Sequence, residues 1–182
     1  MVEGNVPVGH RATLKAVVCC GIPPERYWPY DVDKFDIDPD AFLYSFKAGL
    51  RDLMYVRLDE LNARGDSTLK TVQAFLAAGF PTMLGLAMPS SISQNPEIPY
   101  RPTFDSVYGG QSLLAVGYDD RWLSSTRGAL LVRNSWGSEW GMQGYGWLPY
   151  AFVEERLARD FWTVLKPDWL KSKEFFRPAI VT

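Results

Sequence analysis

The sequence predicts an α+β fold, with helices concentrated in the first half of the chain and short strands in the second. Apolar residues recur at helical spacing over residues 11–20, and this segment ends at Gly21 and a pair of prolines. Three short apolar segments, residues 113–118, 129–133 and 144–148, are separated by turn residues, as in an antiparallel sheet. A chain of 182 residues can bury one sizeable core or two small lobes.

The remaining elements are predicted from the same signals, in chain order. We predict an irregular segment over 22–40, a short helix over 40–48, a strand over 53–58, a helix ending at Ala78, a strand over 80–88, a loop over 89–110, a helix over 149–159 and a last strand over 161–165. Asp66 or Ser67 is expected to cap the second of these helices, and Gly79 is expected to end it.

The charge balance excludes some classes of partner. Nineteen basic and twenty-one acidic side chains give a formal net charge of -2, so the chain offers no strong basic field to a polyanion. We therefore expect neither nucleic acid nor an anionic membrane surface as a partner. No apolar segment approaches the roughly 20 residues that a membrane-spanning helix needs.

The counts of cysteine and histidine limit the chemistry that the chain can carry. Its two cysteines, Cys19 and Cys20, are adjacent, which excludes a disulfide framework and favours a reducing, cytoplasmic location. Because they end an apolar helix, we predict that both are small buried hydrophobic residues. The single histidine, His10, is predicted at the surface or in the first turn of that helix. This set has no zinc-site spacing, so we expect no metal and no cofactor.

Two blocks in the second half of the chain carry a family resemblance. The first, GGQSLLAVGYDD at residues 109–120, strongly resembles the histidine-bearing strand of papain-like cysteine peptidases. The second, RNSWGSEWG at 133–141 followed by GYGW at 144–147, resembles the asparagine-bearing block of the same family, in the correct order and at the right interval. Residues 21–31 also resemble bacterial members, so the similarity extends through most of residues 10–165.

The resemblance implies a papain-like architecture. We expect an incomplete helical lobe followed by an antiparallel β-barrel lobe. Residues 1–60 are predicted to be the remnant of the helical lobe, and residues 61–166 the barrel lobe, with one packed helix and a second helix near 149–159. Residues 167–182 are predicted to form a C-terminal arm.

The family's chemistry needs a cysteine thiolate, an imidazole that accepts and returns its proton, and an asparagine that orients the imidazole. The resemblance puts the asparagine at Asn134 and its flanking tryptophan at Trp136, whereas Gln111 occupies the histidine position. An amide side chain has no accessible pKa near neutrality, so it cannot do the imidazole's work. The family's cysteine lies roughly 130–150 residues before its histidine, which here falls before Met1. We therefore expect both the nucleophile and the base to be absent.

We predict from this a catalytically inactive papain-like protein that acts as a protein-binding or structural subunit. Gln111 is expected to bond to Asn134 and fix the strand pair, although contact with a bound peptide's backbone remains open. A protein partner or self-association is expected over the barrel face near Gln111 and Trp136. The candidate binding residues are Gln111, Ser112, Asn134, Trp136 and Trp140.

Two alternatives remain at this stage. The chain is an active cysteine peptidase, or the His/Asn half of one, if an N-terminal cysteine-bearing segment is supplied. Alternatively, Gln111, Ser112 and Asn134 form a polar pocket for a small ligand. The tryptophans at 136, 140 and 147 are more often core and turn packing than a binding platform, and the neighbouring glycines permit the tight turns that such packing requires.

Overall fold

The structure, a computed structural model, describes residues 8–60, 62–122 and 127–172. The chain divides into two compact units, Met1–Met54 and Tyr55–Thr182. Of the predicted C-terminal arm, only a short helix α4, Pro167–Ser172, falls within the described residues, and residues 173–182 lie outside them.

The first unit consists of one α-helix and two 3-10 helices. Helix α1, His10–Cys20, ends at Gly21, whose backbone has a positive φ of 85° and lies against the backbone of Lys47. A side chain at Gly21 would collide with that backbone, which explains the glycine that ends the helix. The 3-10 helices are Val32–Lys34 and Ala41–Leu50, so the predicted short helix over 40–48 is present in the tighter form.

The second unit is built on a six-stranded sheet in the order β1-β6-β2-β3-β4-β5. Its strands are β1 Met54–Arg57, β2 Thr82–Pro89, β3 Val107–Asp119, β4 Ala129–Arg133, β5 Tyr145–Pro149 and β6 Ala158–Leu165. β2 is antiparallel to both β3 and β6, and β4 is antiparallel to both β3 and β5.

The sheet is open, which corrects the predicted barrel. In the part of the chain that the structure describes, β1 and β5 are the two edge strands and no pairing joins them. The alternating pattern of a strand shows which face is buried but not which strands pair at the two ends of a sheet. The sequence therefore predicted the antiparallel strands correctly and their closure wrongly.

Helix α2, Gly65–Ala77, packs against the sheet through Leu69, Val72 and Leu76. It begins at Gly65, one or two residues before the predicted caps, with Arg64 as N-cap. A Cβ at Gly65 would lie 2.1 Å from the carbonyl oxygen of Glu154, so this close approach of two backbones needs glycine. Asp66 lies in the first turn instead, and its carboxylate pairs with the Arg64 guanidinium at 3.2 Å.

Two further predictions need correction. The predicted helix over 149–159 is only the short helix α3, Ala151–Glu154, because Pro149 belongs to β5 and the chain enters β6 at Ala158. Strand β3 begins at Val107, six residues earlier than predicted. Gln111 is therefore a strand residue, as its place in the block that resembles the histidine-bearing strand implies.

The core lies between the sheet and the helices that pack on it. It contains aliphatic residues from β2, β3, β4 and α2 together with large aromatic side chains, among them Trp140, Phe152 and Phe161. Among the described residues, no helix has the length and apolar character needed to cross a membrane.

Candidate functional site

The predicted site lies where β3 and β4 meet. Gln111 lies in the first half of β3, opposite Leu86 of β2. Asn134 follows the last residue of β4, and the antiparallel register, with Leu114 opposite Arg133, brings it beside the first half of β3. Gln111 Nε2 donates a hydrogen bond to Asn134 Oδ1 at 2.8 Å. The predicted hydrogen bond between the two amides is therefore present.

Asn134 is held from several sides. Its backbone N–H donates to the carbonyl oxygen of Gly144 at 2.9 Å. Its side-chain Oδ1 accepts a second hydrogen bond from the backbone N–H of Ser135 at 2.8 Å. The residue is only 6% exposed, and its Nδ2 has no hydrogen-bond partner in the described part of the chain. A buried donor without a partner costs about 1–3 kcal/mol, so this side chain keeps its orientation at the expense of stability.

Trp136 and Trp140 have different roles. Trp140 is 1% exposed, and its indole Nε1 donates to the carbonyl oxygen of Ser93 at 2.9 Å. Trp136 packs edge-on against it, with ring centroids 5.8 Å apart and an interplanar angle of 86°, and remains 42% exposed. Trp140, predicted as a binding residue, is therefore a core residue that supports Trp136. Only Trp136 of this pair presents its ring to solvent.

The first half of β3 and the loop before it expose apolar side chains. Phe104, Val107 and Tyr108 are all largely exposed, Tyr108 at 80%. Large exposed apolar side chains that lie close together on a protein surface are typical of an interaction site. Sequence reasoning missed these three residues because the segment was predicted as a loop without periodicity.

Ser135 is a second residue that the sequence did not single out. Its hydroxyl oxygen lies 3.4 Å from Gln111 Nε2, in addition to the backbone N–H that it donates to Asn134. Its position directly after Asn134 was the available signal. Ser112, by contrast, is the neighbour of Gln111 along β3, and side chains of successive strand residues point to opposite faces. The predicted set of Gln111, Ser112 and Asn134 is therefore not gathered on one face of the sheet.

A polar network fixes the far end of β3. The hydroxyl of Tyr150 donates to Asp120 Oδ1 at 2.8 Å, and Gln73 Nε2 of α2 donates to the same oxygen at 2.8 Å. Burial raises the pKa of Tyr150 well above its ordinary value, and the hydrogen bond to Asp120 raises it further. This network connects α2 to the turn after β3 and keeps the tyrosine neutral.

Cys19 and Cys20 are both exposed, which corrects the prediction that they are buried. Leu14 is the only buried residue of α1, so most of the helix surface faces solvent. His10 is the first residue of α1, in agreement with the predicted first-turn position. All three lie in the first unit.

Across residues 8–60, 62–122 and 127–172, no group of three or more His, Cys, Asp or Glu side chains is placed to hold a metal ion. An open cavity of about 960 Å³ lies within the first unit, along residues 22–39. A cavity of about 140 Å³ in the second unit is lined by Ala87, Tyr100 and Phe152, among others. Neither cavity is lined by Gln111 or Asn134.

Two sequence comparisons relate the chain to the papain family of cysteine proteases. The family model described as papain family cysteine protease matches residues 93–154, which include both Gln111 and Asn134. An uncharacterized peptidase C1-like protein of Acanthamoeba polyphaga mimivirus is 28% identical over 161 residues, covering 85% of this chain and 50% of the relative. The chain thus spans about half the length of the curated relative that it matches.

A solved structure extends the relationship to the fold. Xylellain, a cysteine protease from Xylella fastidiosa, is 28% identical in sequence and superposes with a TM-score of 0.63, over 86% of this chain and 60% of that chain. The predicted papain-like fold of helices and antiparallel strands is therefore confirmed, with the sheet open rather than closed. This chain is related to the papain-family cysteine proteases.

Proposed function

We propose that the chain is a non-catalytic relative of the papain-like cysteine proteases and acts as a protein-binding or structural subunit. The observation that carries this proposal is the hydrogen bond from Gln111 Nε2 to Asn134 Oδ1 at 2.8 Å. The resemblance assigns this position to the histidine that exchanges a proton with the thiol.

The chemistry of the amide supports the absence of catalysis. A glutamine side chain neither takes up nor releases a proton near neutral pH, so a thiol beside it has no base. Losing a positioned acid or base costs about 10²- to 10⁴-fold in rate. Contact with Asn134 keeps the side chain in place, so the pair retains an orienting role without the proton transfer that the family's imidazole performs.

The exposed apolar side chains support a binding role. Trp136 is nearly half exposed, although it is supported by the buried Trp140, and Val107 and Tyr108 are more exposed still. Aromatic side chains that are held in place and accessible bury large areas at little entropic cost when a partner binds. Such a surface suits a polypeptide partner.

The alternative function is that of a peptidase, or of half of one, which acts once a cysteine-bearing segment is supplied. The match to the papain family model favours it, because that match covers the asparagine block. Gln111 weighs against it, since a thiol supplied from elsewhere would still lack the imidazole.

A hydrolysis assay tests the proposal. The purified chain, kept reduced, is incubated with a fluorogenic protein substrate between about pH 5 and pH 8, the range in which an imidazole titrates. We expect no cleavage above the blank, with or without a thiol alkylator. Cleavage that alkylation abolishes would overturn the proposal, and its loss in Gln111→Ala would assign that activity to this site.

A further inference from the structure

The open cavity of the first unit has the size of a ligand site. It has a volume of about 960 Å³ and lies along residues 22–39. Pockets that bind small molecules usually have volumes of about 300–1,000 Å³, so a ligand of that class fits here. Because neither Gln111 nor Asn134 lines the cavity, a ligand in it serves a function separate from the one proposed above.

Hydrogen bonds within the segment hold the walls of the cavity in place. The backbone N–H groups of Tyr27 and Trp28 both donate to the carbonyl oxygen of Pro24. The backbone N–H of Tyr30 donates to Glu25 Oε1 at 2.7 Å. The segment also contains four prolines, and the fixed φ of each limits the conformations open to the chain. The cavity is therefore bounded by a loop with defined turns.

Apolar side chains form much of the cavity lining. They are Ile22, Trp28, Tyr30, Val32, Phe35 and Ile37. All of them except the tryptophan are more than half exposed. Exposed apolar side chains around a concave site gain free energy when a ligand removes them from water. The lining therefore favours a ligand with an apolar body.

The same lining is acidic. The segment carries five acidic and two basic side chains, a net charge of -3 in a chain whose total is -2. Of the lining residues, only Lys34 is basic, and its ammonium pairs with Asp31 at 3.4 Å. Three further lining acids have no basic partner among the described residues, namely Glu25, Asp33 and Asp38. Their combined field attracts a cation and repels an anion.

The second base of the segment does not offset this charge at the cavity. Arg26 is not among the lining residues, and its guanidinium lies over the ring of Tyr27, 4.7 Å from the centroid. The rings that do line the cavity, Trp28, Tyr30 and Phe35, add a further preference, because the face of an aromatic ring attracts an organic cation. Carboxylates and aromatic rings thus select the same charge.

We propose that the cavity along residues 22–39 binds a small organic cation, in which an ammonium group is attached to an aliphatic or aromatic body. An inorganic cation would leave the apolar lining exposed to water, and a neutral apolar ligand would leave the carboxylates without a partner. The ammonium group is placed among the carboxylates, and the body covers the apolar side chains. This site goes beyond the proposed function and does not depend on it.

The test titrates the full chain with phenylbutylamine at about pH 7, followed in nitrogen–proton correlation spectra. Phenylbutanol keeps the apolar body but lacks the charge, and butylamine keeps the charge but lacks the ring. We expect phenylbutylamine to shift backbone signals of residues 22–39 saturably, and each of the two comparison compounds to bind about tenfold more weakly. Raising the salt concentration should weaken the amine and not the alcohol, because the carboxylates are exposed.

A pair of substitutions tests the role of the carboxylates. Asp33→Asn combined with Asp38→Asn should weaken phenylbutylamine about fivefold and leave phenylbutanol unchanged. The control is Asp36→Asn, which removes a charge from an exposed aspartate of the same segment that does not line the cavity. It should change the affinity for phenylbutylamine by less than about twofold.

Absence of binding, equal affinities for phenylbutylamine and either comparison compound, shifts confined to residues outside 22–39, or an unchanged affinity in the double variant would each overturn the proposal. The comparison of the three compounds on the unaltered chain decides the question even if the variant fails to fold. The proposed function fails by a different result, namely cleavage of a protein substrate that a thiol alkylator abolishes.

Discussion

Replacing Gln111 by glutamate tests the orientation of the amide pair. The change Gln111→Glu preserves the shape of the side chain but converts the Nε2 donor into an oxygen. That oxygen would face Asn134 Oδ1 across 2.8 Å, and Asn134 cannot rotate because the Ser135 N–H holds its oxygen. The variant therefore loses a hydrogen bond and gains a repulsion between two acceptors.

The expected cost is about 1–2 kcal/mol in the free energy of unfolding near neutral pH, because one hydrogen bond contributes about 1 kcal/mol and the half-buried carboxylate can turn partly toward water. The cost depends on pH. A protonated carboxyl donates to Asn134 Oδ1, so the pKa of the introduced group is raised in the folded state. Destabilisation is then absent below the unfolded pKa of about 4.3 and grows as the pH rises through the folded value.

Urea unfolding at about pH 4 and about pH 7 measures this difference. The control is Gln94→Glu, which makes the same change of charge at an exposed glutamine and should cost less than about 0.5 kcal/mol at both values. Equal stability of Gln111→Glu and the unaltered chain at neutral pH would mean that the Gln111 oxygen, not its nitrogen, faces Asn134. That result would refute the orientation assigned to the amide pair.

Three further predictions follow from the packing. Burial and the hydrogen bond to Asp120 raise the pKa of Tyr150, so the folded chain holds the hydroxyl proton more tightly than the unfolded chain does. The free energy of unfolding should therefore fall as the pH rises above about 10. Tyr150→Phe should cost about 1 kcal/mol at neutral pH, and urea titrations at alkaline pH should show that the variant lacks this pH-dependent loss. Gly146→Ala places a Cβ 2.5 Å from the ring of the buried Trp140 and should destabilise the chain by about 1–3 kcal/mol. The control, Gly110→Ala, places a Cβ with no atom within 4 Å and should change stability by less than about 0.5 kcal/mol. Equal midpoints of the two variants in thermal melts would contradict this packing. Both thiols of Cys19–Cys20 should react with a chromogenic disulfide in the native chain, and a reaction that needs denaturant would show that they are buried.

In the strand-rich half, the sequence predicted a strand best in two cases: where buried and exposed residues alternate, and where turn residues lie on both sides of a short apolar segment. The bounds of β4, Ala129–Arg133, agree with those predicted, because its apolar residues lie between turn residues on both sides. The start of β3 was missed, since Val107, Gly109 and Gly110 are exposed and carry no alternating pattern. That segment is a strand because its backbone pairs with β2, and such pairing leaves little trace in the local sequence.

Helix predictions failed where tertiary packing overrode the local signal. Pro149 is a favourable first helical residue, yet it pairs with Ala129 as the last residue of β5. Arg156 then takes a positive φ of 59° and the chain turns into β6. The adjacent Cys19 and Cys20 were predicted to be buried from apolar spacing alone, which identifies an amphipathic helix but not how much of it is covered.

The candidate site also shows that local sequence does not reveal tertiary packing. The resemblance put Gln111 and Asn134 at corresponding positions, and their contact could be predicted from it. The direction of the hydrogen bond could not, because it depends on a backbone N–H of Ser135 that has no sequence signature. Likewise, only the packed structure distinguishes the buried Trp140 from the exposed Trp136.

The side-chain amide of Gln111 gives the most direct measurement of the central claim. Its two protons are assigned in nitrogen–proton correlation spectra by their absence from Gln111→Met, and their solvent exchange is followed between about pH 5 and pH 8. We predict slow exchange and constant chemical shifts across this range, with protection lost in Asn134→Ala. Exchange as fast as that of a free glutamine, unaffected by Asn134→Ala, would contradict the hydrogen-bonded amide pair on which the account depends.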